Sequence, residues 1–533
     1  MFDAVQIVVL LLLAAMALGV IARRIGIPYP IALTIGGLGL GFVPGLPSVE
    51  LDPAIVFGVF LPPILYHASL FGRWHDFRAN LRPIVGLAIA LVTFTTIIVG
   101  LVSKALIPEL PWAAAFVLGA IVSPPDAVAA TAILHRLNLP PRLVALIEGE
   151  SLVNDATALI LYRFALAALM TGAFSFGAAV GQFALVAAGG VAVGLVLGWG
   201  SIRLHQLLSD TLSETMLSLT VPFISYWVAE AVGVSGVLAV VSVGMWRARE
   251  SPSVISAETR QRTRAMWDAI VFFLNSLIFT VMGLQLPPIV HRLTAFSWPA
   301  LFAYAAAIGL ATILARVAWV FPVTYLPRAL SPYLQKHDPA PPLRAVAVLS
   351  YVGLRGIVSL AVAMALPLAL PDGRPFPERD LLIFLTFAVI VTTLVVQGLS
   401  LPFVLRVLGY DGLVKADAGA EEQLARIKMA HAAVAEVDRL AEHEKLPARV
   451  VERVRAEFAG PLAEMEAHGT ADTAAPPAAE NKRRLLRLAA IRAARRRLVK
   501  LHRDDEISDE TLQALLRELD FDEIRVAGAD RAG

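Results

Sequence analysis

Four side chains carry charge where the residues around them do not: Asp126, Glu150, Asp155 and Arg355. Each lies inside a long apolar run. An ionised group at the centre of a spanning helix costs at least ~2.5–3.5 kcal/mol, so such a group marks function by default. Asp155 closes the string Gly149-Glu150-Ser151-Leu152-Val153-Asn154-Asp155. Helical spacing places Ser151 and Asp155 on one face and Glu150 and Asn154 on another, about 100° around the axis. The first pair offers hard oxygens to a proton or a small cation. The second reads equally well as a structural polar seam between helices.

Asp126 follows Ser123-Pro124-Pro125. Two consecutive prolines remove two backbone donors and clash with the preceding turn. Lipid cannot satisfy the carbonyls such a break frees, so the break should line a cavity or an ion site. The blander alternative is a proline kink with Asp126 capping the second half-helix. Arg355 is flanked by Gly353 and Gly356, which weaken a helix and let backbones approach. A buried guanidinium needs a carboxylate, and Glu150 is the expected partner of Arg355, in a structural and electrostatic role. Arg163, two turns beyond Asp155, is a weaker candidate for the cavity lining. Glu230 and Arg316 are assigned to helix ends.

The elements that must position these groups are spanning helices. Hydrophobic residues make up 57% of the 533 and charged residues 17%, against about 25% charge in a soluble protein. The apolar residues cluster up to Val407 in blocks of roughly 17–25, the length that crosses a bilayer as a helix. About thirteen such segments are predicted, at 3–22, 28–45, 54–71, 81–103, 112–135, 142–170, 175–202, 213–231, 233–246, 267–286, 298–325, 343–369 and 381–407. The pair at 213–246 could instead be one long helix. The first run lacks a basic stretch before it and is followed by Arg23-Arg24, so it reads as a retained helix rather than a signal peptide.

With the N-terminus outside, alternate loops hold about sixteen basic residues against about four in the others, a positive-inside asymmetry. An odd number of spans then leaves the C-terminal tail on the cytoplasmic side of the membrane. Segments 1–6 and 8–13 can be paired as inverted repeats. The proline break in the fifth segment and the glycine-flanked Arg355 in the twelfth then correspond, as expected of a secondary transporter's binding site. The fold class is an all-α polytopic membrane protein of about thirteen transmembrane helices in two inverted six-helix repeats.

Enzymatic signatures are missing. The sequence contains no cysteine, no His-Glu-x-x-His pattern, no phosphate-binding loop and no dinucleotide glycine fingerprint. Gly149-Glu150-Ser151 lacks the closing glycine of a nucleophile elbow. Neither enzymatic activity nor a cofactor is expected.

The string around Asp155 resembles the signature of the bacterial NhaP-type and animal sodium/proton exchangers. Leu61-Pro62-Pro63-Ile64-Leu65, Ser123-Pro124-Pro125-Asp126, Ser235-Gly236-Val237-Leu238-Ala239-Val240, Phe273-Leu274-Asn275-Ser276-Leu277-Ile278-Phe279, Gly353-Leu354-Arg355-Gly356 and Val396-Gln397-Gly398-Leu399 resemble further family motifs in the same order. The resemblance implies a thirteen-helix homodimer, with a core domain of two crossing broken helices moving against a dimer domain. It implies antiport of a monovalent cation for H⁺, with Na⁺ first and Li⁺ or K⁺ as alternatives; a K⁺-preferring antiporter or a cation channel are the other readings. Asp155 would carry cation and proton in turn. Asp126, Ser151 and the Pro125 carbonyl would be further cation ligands, Asn154 would brace the crossing, and Glu150 would pair with Arg355. The Asn-Asp order implies electroneutral exchange. His67 stands where the family usually places an acid, which makes it a candidate modulator.

Residues 1–410 thus form the expected exchanger domain and 411–533 a cytosolic helical regulatory tail. Leu424–Leu440 and Arg449–Met465 are amphipathic, Gly469–Ala479 reads as a linker, and a basic helix follows from Lys482 to Arg497. That helix could meet anionic membrane lipid or a cytosolic regulator. The simpler expectation is that Asp504 to Glu506 and the acids from Glu518 to Glu523 pair with it. Nucleic acid is not an expected partner.

Overall fold

The computed structural model describes residues 4–43, 52–72, 74–126, 130, 140–172, 175–208, 210–293, 296–337, 340–371, 373–409, 415–444, 447–458, 477–504 and 506–528. Helices dominate these residues; their one β-pairing is an isolated bridge between Ala369 and Pro375. Among the described residues, eight helices are long and apolar enough to cross a membrane, and Tyr29–Gly41 and Trp112–Val122 are shorter apolar helices. In lipid the backbone must satisfy its own hydrogen bonds, which selects helices for such sequences. Among the described residues, every predicted apolar segment contains helix.

The doubtful pair at 213–246 is two helices. Thr211–Val232 ends at Gly233, whose φ of 81° is left-handed and suits glycine. Two residues on, the Ser235 hydroxyl accepts from the Leu238 N–H and starts Gly236–Val254. Small residues then set the packing distances. Gly194 on Phe176–Leu207 lies against the Ala239 backbone, where a Cβ would collide with the carbonyl oxygen.

Two segments are interrupted. The half-helix Trp112–Val122 stops before Ser123, and the chain is non-helical through Asp126. Most of the remainder of that segment, 127–135, lies outside the described residues. The twelfth segment divides into Leu343–Tyr351 and Ile357–Met364, joined by non-helical residues 352–356. Both breaks lie where proline pairs or flanking glycines deny the backbone a regular turn. The Pro62-Pro63 pair has a milder effect. It sits just after the π-helical turn Val56–Phe60, and the helix continues as Leu61–Leu70.

The tail builds its own core. Helices Lys415–Glu444, Ala448–Phe458, Pro477–Arg503 and Asp509–Gly528 bury Ala425, Met429, Val437, Leu486, Leu498 and Leu515 together. The expected helix Arg449–Met465 is seen over Ala448–Phe458, and its remainder lies outside the described residues. So does the expected linker, apart from residues 477–479, which begin a helix. The tail docks on the ends of the apolar helices: Gln513 Nε2 donates to the Phe71 carbonyl at 3.0 Å, and the Asp76 N–H donates to Asp509 at 2.8 Å.

Candidate ion site

The two breaks cross. The Asp126 N–H donates to the Leu354 carbonyl at 2.6 Å, joining one non-helical segment to the other. Gly356 makes the approach possible: any Cβ there would overlap the Asp126 carboxylate. That carboxylate therefore lies at the residue preceding the half-helix Ile357–Met364, where unpaired N–H groups favour negative charge.

Arg355 performs the complementary task. Its guanidinium donates to the carbonyls of Val122 at 3.0 Å and Ser123 at 3.2 Å, and also to that of Gly353. These include the carbonyls left open where Trp112–Val122 ends, and a cation at that end is favoured by the helix dipole. Its backbone N–H is held by the Thr393 hydroxyl at 3.1 Å.

The expected Glu150–Arg355 pair is not formed. Glu150 binds Arg316 through two parallel bonds, Nη1 to Oε1 at 2.5 Å and Nη2 to Oε2 at 2.7 Å, with both side chains at most 2% exposed. Arg316 also donates from Nε to the Leu349 carbonyl at 3.1 Å, near the end of Leu343–Tyr351. The correction has a physical reason. A planar guanidinium satisfies a carboxylate best side by side, and Arg316 approaches Glu150 in that manner while Arg355 is consumed by carbonyls. Arg316, expected at a helix end, lies instead near the middle of Trp298–Leu330. The sequence did contain a signal, because an arginine well inside an apolar run is itself an intramembrane charge.

The helix Pro141–Thr171 brings the remaining groups to the break. Ser151 Oγ donates to the Pro125 carbonyl at 3.2 Å, and Asn154 Nδ2 donates to the same oxygen at 2.8 Å. The face-sharing expected from spacing is thereby redrawn: Ser151 and Asn154, three residues apart, act together, and Glu150 turns away to Arg316. Asp155 is 6% exposed. Among the described residues it has no arginine or lysine partner, and the like-charged Asp126 acts on it electrostatically. Two carboxylates, a hydroxyl and a carbonyl oxygen thus converge on one crossing. Hard oxygens of this kind suit alkali cations and protons.

His67 meets a different acid. Its Nε2 lies 3.0 Å from Asp268 Oδ1 on Ala257–Leu284. Sequence reasoning did not single out Asp268, which stands near the basic start of its helix. Arg163 pairs with Glu230 at 3.1 Å, and Glu230 also accepts from the Gly236 N–H, consistent with a position at a helix end.

Comparison with known proteins identifies the family and the fold. The family model described as the transmembrane sodium/hydrogen exchanger matches residues 8–407. An uncharacterized Na⁺/H⁺ exchanger of Mycobacterium tuberculosis is 34% identical over 98% of this chain and 96% of its own length. A sodium, potassium, lithium and rubidium/H⁺ antiporter of Bacillus pumilus is 36% identical over 74% of this chain and 60% of its own. The solved structure of the sodium/proton antiporter MjNhaP1 from Methanocaldococcus jannaschii superposes with a TM-score of 0.61 over 76% of this chain and 98% of that one, at 19% identity, which speaks for the fold. The chain belongs to the sodium/hydrogen exchanger family and is a multi-pass membrane transporter of the cation/proton antiport class, not an enzyme.

Proposed function

We propose that this protein exchanges Na⁺ for H⁺ one for one, with Asp155 as the shared carboxylate. The observation that carries the reading is the contrast on one helix. Glu150 has a fixed guanidinium partner, whereas Asp155 is buried, is acted on by a second carboxylate, and among the described residues has no basic side chain to neutralise it. A bare buried carboxylate is costly, so a proton or a cation must occupy it, and the two exclude each other.

Ser151, Asp126 and the Pro125 carbonyl are the proposed further ligands. In the present conformation the Pro125 oxygen already accepts two hydrogen bonds. Cation binding there would therefore displace the longer bond, from Ser151, while Asn154 keeps bracing the break. Alternating access would move the two crossed breaks and Pro141–Thr171 as a nearly rigid unit against the remaining helices, in a homodimer with inverted repeats. The positive-inside asymmetry supports an outside N-terminus and a cytoplasmic tail at the plasma membrane.

A broader cation range that includes K⁺ is the second reading. It is favoured by the name of the Bacillus pumilus relative, a sodium, potassium, lithium and rubidium/H⁺ antiporter. Fluorescence dequenching in everted vesicles tests both, with Na⁺, Li⁺ and K⁺ added in turn. Wild type should dissipate the proton gradient on Na⁺ addition and Asp155→Asn should not, at equal amounts of folded protein. Cation-dependent proton flux persisting in Asp155→Asn would overturn the assignment.

A further inference from the structure

A cavity of about 350 Å³ lies away from the helix crossing, between the tail and the ends of the apolar helices. Its walls carry seven arginines and two histidines against three carboxylates. The carboxylates are already engaged. Asp520 is held by Arg260 at 3.0 Å and by Arg495 at 3.1 Å. Asp509 is held by His502 at 2.8 Å and by the Asp76 N–H. Glu214 accepts from the Thr259 hydroxyl. Arg260 is matched by Asp520 and Arg249 lies 3.6 Å from Glu250, but among the described residues Arg78, Arg247 and Arg503 in the same walls have no carboxylate within ion-pair distance.

The deepest donors show this most clearly. Arg247 is 1% exposed, and its Nη1 donates to Ser201 Oγ at 3.0 Å, but its Nε has no hydrogen-bond partner. His205 is 3% exposed, neither ring nitrogen is hydrogen-bonded, and Glu214 stands 3.6 Å away. Gln261 Nε2 and Thr263 Oγ1, also in the wall, are likewise without partners. Buried polar groups are rarely left in this condition, and each such orphan points to a missing partner. Here three of the four groups bring N–H donors and the fourth a hydroxyl, all around a space of small-molecule size.

The ligand chemistry follows. Monovalent anions would leave most of the arginines unanswered. A phosphate-bearing compound presents several charged acceptor oxygens at once, the arrangement guanidinium groups match best. Arg264 and Arg503 reach the same cavity from the membrane helices and from the tail respectively, so one polyanion would touch both. We propose that this cavity is a binding site for a phosphate-bearing polyanion, held deep by Arg247 and His205 and at its two sides by Arg264 and Arg503. The source is either a soluble nucleotide-like solute or the headgroup of an anionic lipid; both present the same oxygens.

The test uses the full chain in nanodiscs of neutral phosphatidylcholine. One arm measures binding of radiolabelled ATP and of tripolyphosphate by equilibrium dialysis. The other measures the thermal shift when phosphatidic acid is added to the bilayer. The expected result is saturable binding or a saturable shift in at least one arm, weakened about tenfold in Arg247→Gln, as for the loss of one charge-assisted hydrogen bond. A response in the first arm alone identifies a soluble ligand, and one in the second alone a lipid. Should Arg247→Gln fail to fold, the less buried Arg264→Gln and Arg503→Gln carry the same expectation. Asp155→Asn should bind as wild type does, which separates this site from the exchange reaction. No saturable response in either arm, or an equal response in the arginine variants, would overturn the proposal.

Discussion

The helix crossing and the tail are both rich in charge, yet they use it differently. At the crossing, Glu150 and Arg316 share two bonds in a space from which water is excluded, and Arg355 is committed to backbone carbonyls. In the tail, Arg426 pairs with Glu518 at 2.7 Å while both side chains remain more than a third exposed. The basic helix Pro477–Arg503 is answered at Arg487 by the part-exposed Glu457, and at Arg495 by Asp520 and Glu523 in a more buried cluster, so the contrast is sharpest at Arg426–Glu518. The geometry of the pairs is comparable; the dielectric around them is not. Removing one partner of a buried pair strands a charge, whereas water and salt replace an exposed partner cheaply.

The largest effect should therefore come from Arg316→Ala, which strands Glu150. About 3–5 kcal/mol of destabilisation is expected, read as a large fall in thermal stability in detergent. Replacing both partners, as Glu150→Leu with Arg316→Met, should recover most of that loss. A single variant as stable as wild type would show that the pair contributes nothing. Gly356→Ala should follow. Its methyl group would force the Asp126 carboxylate away from the second half-helix, at a cost of about 1–3 kcal/mol and with loss of cation-dependent proton flux. Retained flux would place Asp126 outside the exchange site.

Arg355→Ala leaves the carbonyls of Val122 and Ser123 without their donor, and about 1–3 kcal/mol in total is expected, since water entering the break can replace part of what is lost. Its stability loss should persist in Glu150→Gln, because the two side chains do not pair; strong coupling in a double-mutant cycle would restore the partnership that the structure rejects. The smallest effect should be Arg426→Ala, at about 0–1 kcal/mol and less at high salt. A tail that unfolds on this change would remove the contrast between the two regions.

Much of the architecture was legible from the chain alone because the signals are local. Apolar runs of spanning length predict helices, Pro124-Pro125 predicts one break, and the glycines around Arg355 predict the other. The Gly233–Ser235 boundary was less legible, since both flanking segments are apolar and the terminator is a single left-handed glycine with a serine cap. The acids opposite the basic tail helix were half legible: Asp520 and Glu523 lie in the expected cluster, but Glu506 turns to Lys428 instead.

What the sequence by itself determined is which groups have to be explained: Asp126, Glu150, Asp155 and Arg355 are costly where they stand, whatever surrounds them. Tertiary structure alone decided who answers whom. Glu150 and Arg316 are 166 positions apart, and Asn154 reaches the Pro125 carbonyl across 29. Helical period orders neighbours on one helix, but the angle at which a second helix crosses it selects the partner. That selection leaves Glu150 neutralised by an arginine and Asp155, five residues further along the same helix, with no arginine or lysine partner among the described residues.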